Sequence, residues 1–364
     1  MTTAEQIFYD LRPAVIKDKW GESFLGFEHD PVADPLLLHG DAMQVLKDLP
    51  AASVDFIMTS PPYWGQRQYD ADGIGQESGP KVFIDALAAI CLELQRVLKP
   101  TGSFWLNIGD TYEKKSLSGI PWRLAIRLMD EQGWILRNEV VWNKLKGGMD
   151  QAGDRLANTH ELLFHFVKQA RGYYYDVNAI RSAPRPSKIV NGSVISATGV
   201  SGVRYKRQIE LSTALSEEER AAAMAALNQM LKQIADGEYA DFRMVIRGQQ
   251  RSTHSDQAKV SGRAKELNDK GFYFLRYHPL GTKPNDVWDI IPEDSQSRKS
   301  GHFAVYPVDL CRIPILSSCP PGGIALDPFC GTGTTLLAAK ISGRRGVGID
   351  ISGSYLDAAA ERLA

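Results

Sequence analysis

The sequence predicts an α/β fold with an insertion, on three observations. Short apolar runs alternate with stretches of helical periodicity, as when parallel strands are joined by helices. A strand, a glycine-bearing turn and a helix follow one another near the C-terminus, and between these regions the alternation stops. At 364 residues with 43% hydrophobic content, the chain can bury a sizeable core and still carry an inserted segment. The expected divisions are an N-terminal extension (1–35), one half of the body (36–176), the insertion (177–285) and the second half of the body (286–364).

Leu36 to His39 reads as a strand and Met43 to Leu49 as a short helix. Val54 to Met58 is a second strand that runs into Thr59-Ser60-Pro61-Pro62, where the prolines must end pairing. Leu87, Ile90, Leu94 and Leu98 share one face of a helix from Val82, and Lys99-Pro100-Thr101-Gly102 stops it before a strand from Ser103 to Ile108. A helix from Pro121 to Gln132 and strands from Trp134 to Trp142 and His160 to Val167 complete this half. Beyond Asp176, Ser, Gly, Pro and Arg accumulate through Val203, and a lone helix from Ser216 to Ala235 opens on Ser-Glu-Glu-Glu, a good N-terminal cap. Regular pattern returns near His302, with a strand at Gly323 to Leu326, a helix at Thr334 to Ile341, a strand at Gly346 to Ile349 and a last helix ending at Leu363.

Cys91, Cys311, Cys319 and Cys330 form neither a CxxC pair nor a Cys/His cluster, which argues against a zinc site or disulfide framework and for a reducing cytoplasm. His160, His165, His254 and His278 lack metal spacing and read as structural or surface residues, so no metal is expected. With acids at Glu5 and Asp10, no signal-like apolar core and no run approaching a membrane span, a soluble protein without a membrane partner is expected. The net charge of -1 hides an asymmetry: between Arg181 and Lys283, 17 Lys and Arg face 10 Asp and Glu, leaving the remainder acidic. Clustered cations are what phosphate binding needs, whereas an unevenly charged solvated surface is the plain alternative.

The stretch Ile324 to Thr335 combines an apolar strand, a turn with Gly331 and Gly333, and a helix start, so a ligand can approach main-chain atoms at the edge of a parallel sheet. The third glycine of a dinucleotide fingerprint and the lysine of a P-loop are both missing, which favours a nucleoside without phosphates. Asp350, ending the next strand, is placed to accept hydrogen bonds from ribose hydroxyls.

Asp327-Pro328-Phe329-Cys330-Gly331-Thr332-Gly333-Thr334-Thr335 resembles the cofactor motif DPFxGxGTT of DNA amino-methyltransferases, and Thr59 to Trp64 resembles their catalytic motif [DNS]PP[YF] in its SPPY form. With the catalytic motif first, the order is similar to that of the β group, which implies a circularly permuted, Rossmann-like S-adenosylmethionine-dependent methyltransferase fold with an inserted target-recognition region. The resemblance assigns Asp41 to the vicinity of the cofactor adenine, and His302 to Pro307, including Tyr306, to an element packing around the cofactor. It adds Asp327, Pro328, Phe329, Gly331, Gly333, Thr334 and Asp350 as cofactor-binding residues. Asn158-Thr159-His160-Glu161 is similar to a further family element without an assigned role.

An exocyclic amine is a poor nucleophile because its lone pair is delocalised into the ring. Ser60 Oγ and the Pro61 carbonyl can accept its hydrogens and aim the lone pair at a methyl donor, while Pro61 and Pro62 fix the backbone. A duplex base must be flipped out to be reached, whereupon Tyr63 and Trp64 are candidates to stack on it. No Pro-Cys dipeptide occurs, which disfavours methylation at a ring carbon. Within the family SPPY goes mostly with cytosine N4, and adenine N6 is the alternative. Double-stranded DNA is the expected partner, with Arg204, Lys206 and Arg207, and Arg243, Arg247 and Arg251, as candidate contacts in the insertion. The resemblance also raises a homodimer, a cognate restriction endonuclease and a prokaryotic or phage-encoded origin. The rival readings are a non-catalytic DNA-binding module that kept the fold, and an RNA or protein amide methyltransferase.

Overall fold

The computed structural model describes residues 12–65, 73–145, 152–183, 188–190, 193–195, 202–248, 262–293 and 306–364. The chain divides into two compact units, Met1–Ala179 with Asn285–Ala364, and Ile180–Pro284.

The larger unit is built on a nine-stranded sheet among the described residues. Its strands are β1 (Val15–Ile16), β2 (Leu36–His39), β3 (Val54–Thr59), β4 (Leu98–Ile108), β5 (Ile135–Asn143), β6 (His160–Val167), β7 (Val287–Asp289), β8 (Ile324–Asp327) and β9 (Arg345–Asp350). They lie in the order β1-β2-β9-β8-β3-β4-β6-β5-β7, all parallel except β6, which runs antiparallel to both neighbours. The helices are α1 (Trp20–His29), α2 (Ala42–Asp48), α3 (Pro80–Val97), α4 (Ile120–Gln132), α5 (Val308–Ser318), α6 (Thr334–Ile341) and α7 (Gly353–Leu363). This is a mixed α/β fold with a central, mostly parallel sheet.

Strands buried on both faces carry continuous apolar runs rather than alternation. Ile57, Phe104, Leu106 and Phe166 pack with α1 to α4 through Phe24, Leu46, Phe83, Leu94 and Leu124. Phe56, Met58 and Trp105 face the other way, onto Leu310 and Ile315 of α5 and Ala338 and Ala339 of α6. Residues 15–29, an extension in the sequence reading, add β1 to the sheet beside β2 and α1 to the core through Phe24 and Phe27. His165 stacks on Trp105 at 4.3 Å, and burial, reinforced by the charge of Arg137, pushes its pKa down to about 3. It is therefore a neutral core residue.

The connections set the position of a site. From β3 the chain passes through α3 to β4 on one side, and from β8 through α6 to β9 on the other. The carboxyl ends of β3 and β8 therefore flank the point where the winding reverses, which opens a crevice there.

The smaller unit holds a helix at Gly202–Glu210, a helix at Glu217–Ala235 and an antiparallel pair, Asp241–Ile246 with Phe272–Tyr277. Ser216 Oγ accepts from Glu219 N–H and Glu219 Oε2 from Ser216 N–H, a reciprocal cap that starts the long helix. Tyr205, Ile209, Leu227, Met230, Phe242 and Phe272 form a core of its own. Among the described residues, no helix is long and apolar enough to cross a membrane, and no group of three or more His, Cys, Asp or Glu could hold a metal ion.

Candidate active site

Thr59 ends β3 and Asp327 ends β8, and the two strands are parallel neighbours, with Leu326 beside Ile57. Residues 268 positions apart therefore meet: Thr59 Oγ1 donates to Asp327 Oδ1 at 2.6 Å. The same carboxylate accepts from Phe329 N–H at 3.1 Å, Tyr306 OH at 2.9 Å and Thr335 Oγ1 at 2.5 Å. Asp327 is only 1% exposed, and burial raises its pKa against the pull of these donors. It looks inward and ties the glycine turn to β3 and Tyr306; the cavity wall is formed by the residues around it.

The turn itself needs glycine. Gly331 and Gly333 both adopt positive φ, 51° and 77°, and Gly333 is the N-cap of α6. Gly348 on β9 lets the turn settle, since a Cβ there would lie 2.7 Å from Cys330 Sγ. Asp350 Oδ2 accepts from Gly331 N–H and Oδ1 from Ser352 N–H, both at 2.9 Å, so the carboxylate is fixed in orientation. Burial raises its pKa as well. Arg362 of α7 braces the turn from behind, donating to Thr334 Oγ1 at 2.7 Å and Thr332 O at 3.4 Å, with Glu293 3.7 Å away.

A cavity of about 530 Å³ opens over this junction. One end is lined by Asp41, Pro328, Phe329, Gly331, Thr334 and Asp350, the other by Ser60, Pro61, Pro62 and Tyr63, with Tyr306 also in the wall. Asp41 is the cap of α2, its Oδ1 accepting from Gln44 N–H at 3.1 Å. Gly333 lies behind the wall at the start of α6. His302 lies outside the described residues.

At the Ser60 end the side chains are wired together. Ser60 Oγ donates to the Tyr63 oxygen at 3.1 Å, and Tyr63 OH donates to Glu161 Oε2 at 2.7 Å. Asn107 Nδ2 contributes to the same cluster, reaching Tyr63 OH at 2.7 Å, Glu161 Oε2 at 2.8 Å and Ser60 Oγ at 3.3 Å, and Lys144 pairs with Glu161 Oε1. Burial, and then the negative charge of Glu161, hold the Tyr63 phenol well above its usual pKa, so it stays protonated. Gly109 permits the ring position, because a Cβ there would lie 2.7 Å from Tyr63 Cε2. Trp64 turns aside: its indole N–H donates to Glu77 O at 2.8 Å, and the ring packs against the core.

Asn107, Glu161 and Lys144 line the cavity although sequence reasoning gave none of them a role. The available signal was weak: Asn107 is a polar residue inside the apolar run Phe104 to Ile108, and its strand buries it to 1% exposure. Asn107 Oδ1 and Thr332 Oγ1 are buried in the cavity wall without a hydrogen-bond partner among the described residues. Such atoms need explaining, and a polar ligand in the cavity would supply their partners.

The basic residues of the smaller unit separate into two kinds. Arg204, Lys206 and Arg207 are exposed on Gly202–Glu210, and Arg243 is exposed on Asp241–Ile246. Arg247 is committed internally, with Nε and Nη2 donating to Ala214 O at 3.1 and 3.0 Å, Nη1 to Asn268 O at 3.1 Å, and an ion pair to Glu219. Arg251 and His254 lie outside the described residues.

A family model described as DNA methylase matches residues 54–361. The chain is similar to the Type II methyltransferase M.Cfr9I of Citrobacter freundii, 29% identical over 357 residues, covering 90% of this chain and 87% of the relative. It is also 29% identical over 387 residues to the Type II methyltransferase M.SfiI of Streptomyces fimbriatus, covering 89% of each. Among solved structures, the PvuII DNA methyltransferase (cytosine-N4-specific) shares the fold, with a TM-score of 0.55, 17% identity, and coverage of 97% of this chain and 89% of that one.

Proposed function

The chain belongs to the DNA methylase family, and we propose that it transfers a methyl group from S-adenosylmethionine to the N4 amine of a cytosine flipped out of duplex DNA. The observation that carries this reading is the Thr59–Asp327 hydrogen bond, which joins Ser-Pro-Pro-Tyr and the glycine turn at one cavity.

The residues present fit the cofactor. Asp350 offers a fixed carboxylate for ribose hydroxyls, Thr332 Oγ1 is a buried hydroxyl in need of a partner, and Asp41 lies in the same wall for a purine. When bound, S-adenosylmethionine supplies an electrophilic methyl on sulfur. The protein's part is positioning. Because Ser60 gives its own hydrogen to Tyr63 and takes one long hydrogen bond from Asn107, a lone pair on its oxygen is left to accept from the target amine, together with the Pro61 carbonyl. Asn107 Oδ1 is a further acceptor at that end of the cavity. Glu161 and Asn107 hold the Tyr63 hydroxyl, and through it Ser60, so the acceptors are set before the base arrives. The choice of cytosine rests on serine at position 60. The type II designation of the relatives supports a role as the modification partner of a restriction endonuclease.

The test is to incubate the protein with duplex DNA and labelled cofactor, digest to nucleosides and separate them by mass spectrometry. N4-methylcytosine is expected. N6-methyladenine alone would overturn the choice of base, and unmodified DNA would overturn the activity.

A further inference from the structure

The loop between β4 and α4 carries a feature that neither the catalytic cluster nor the cofactor turn uses. Asp110 draws its ends together, accepting from Thr111 and Gly119 N–H at 2.9 Å and Ile120 N–H at 3.1 Å. Between them, Tyr112–Glu113 pairs with Ser116–Leu117 as a hairpin whose connection is only Lys114 and Lys115. Both have positive φ, 49° and 66°. Two-residue hairpins of this hand match the twist of their strands and are normally filled by Asn-Gly, because glycine lacks a Cβ and asparagine's short polar side chain tolerates the left-handed region, whereas a long side chain is strained there. Here the strained positions hold two lysines, and the whole hairpin is exposed.

Three cations gather there, since the Arg155 guanidinium sits 3.8 Å over the Tyr112 ring. Opposing charges among the described residues include Asp110 at the base of the loop, Glu113 within the hairpin and Asp154, 3.7 Å from Lys115; the last pair is 89% and 70% exposed, a contact that water and salt weaken readily. The location is specific. Asn107 in the cavity wall and Gly109 under the Tyr63 ring immediately precede the loop, so the hairpin rises from the strand end that supports the reaction centre. Residues 152–159 leave the same edge of the sheet, because His160 at the start of β6 pairs with Asn143 at the end of β5. The turn holds its two lysines in a strained conformation, Lys115 gains only an exposed ion pair from it, and it follows directly on the strand end whose Asn107 lines the cavity.

We propose that the Lys114–Lys115 hairpin, with Arg155, is a phosphate clamp of the larger unit that grips the DNA backbone next to the flipped nucleotide. This rests on the DNA methyltransferase reading above. It assigns DNA contact to the catalytic body itself, apart from the basic 180–284 unit.

The test replaces Lys114→Asn together with Lys115→Gly, which removes both charges and gives the turn its preferred residues. Thermal unfolding and binding of a fluorescent mixed-sequence duplex are measured across a salt series, alongside methyl transfer by the wild type. The expected result is a Tm equal to or above that of the wild type. The slope of log Kd against log salt should be smaller by roughly 2, and binding near 0.1 M salt weaker by tens of fold, since each phosphate contact contributes about 0.9 to the slope. An unchanged slope and affinity overturn the clamp, and a lower Tm overturns the strain on which it rests. A wild type that binds and methylates no DNA sinks the functional reading and the clamp with it, whereas a wild type that methylates DNA beside an unaltered variant sinks the clamp alone.

Discussion

Adding one methyl group at Gly109 strikes the ring of Tyr63. A Cβ there would lie 2.7 Å from Cε2, 3.1 Å from Cδ2 and 3.3 Å from Cζ. Non-bonded carbons settle at about 3.5–4.0 Å, so in Gly109→Ala the ring edge must withdraw by roughly 1 Å. The phenol oxygen sits 2.7 Å from both Glu161 Oε2 and Asn107 Nδ2, and a withdrawal of that size stretches these bonds beyond hydrogen-bonding range. Ser60 then loses the acceptor that orients its hydroxyl. Misplacing a catalytic group by about 1 Å costs on the order of 10²-fold in rate, and overpacking about 1–3 kcal/mol in stability. Single-turnover methyl transfer, followed by rapid quench with labelled cofactor, should therefore slow by about 10²-fold, while cofactor affinity stays at the wild-type value because the glycine turn is untouched. A wild-type rate in Gly109→Ala would refute the idea that the wired position of Tyr63 sets the reaction geometry.

Thr59→Val removes one charge-assisted hydrogen bond from Asp327, worth about 2 kcal/mol, and calorimetry should show Tm lower by about 4 °C together with weaker cofactor binding. Arg362→Ala releases the brace on Thr332 and Thr334; isothermal titration should find cofactor affinity about tenfold lower, with Arg362→Lys in between. Asp350 has its pKa raised by burial, so its ionised form, the better acceptor for ribose hydroxyls, is lost at a higher pH than for an ordinary aspartate. Cofactor Kd measured across acid pH should rise as pH falls through that raised value, and Asp350→Asn should bind weakly at every pH. The stability of the ligand-free protein runs oppositely: a proton held more tightly when folded contributes below the unfolded carboxyl range, and that contribution is lost as pH rises through the folded value. Chemical denaturation of wild type and Asp350→Asn at several pH values should show the difference.

The body of the fold was legible because its elements are locally consistent. Val54 onward reads as a strand stopped by proline, Leu87 to Leu98 as one helical face, and Ile324 to Asp327 as a strand before a glycine turn; each is present within a residue or two. α5 was missed because Pro314 lies inside it, and because its apolar residues face a sheet rather than follow a clean helical period. The pair Asp241–Ile246 and Phe272–Tyr277 was missed because its connection is too long for a turn signal. At the site, the two motifs were legible through the strand, glycine turn and helix at Ile324 to Thr335 and through their resemblance to a known family. Asn107 and Lys144 carried no such signal and Glu161 only that of a family element without an assigned role, since a polar residue on or just beyond a strand announces nothing until β4, β5 and β6 are side by side. Trp64 is a different case: beside a catalytic motif it suggests stacking, while in the structure its indole donates to Glu77 O and its ring packs against the core.

The placement of β8 and β9 governs how the molecule must be made. Among the described residues, β1 and β2 join the rest of the sheet only through β9, while β3, β4, β6, β5 and β7 form a separate block whose edge at β3 is closed by β8. During synthesis the chain therefore holds two disconnected sheet fragments and one bare edge until residues 324–350 arrive as a keystone between them. The same two strands carry the glycine turn and Asp350. Completion of the sheet and assembly of the glycine turn beside Asp350 are thus a single event in synthesis.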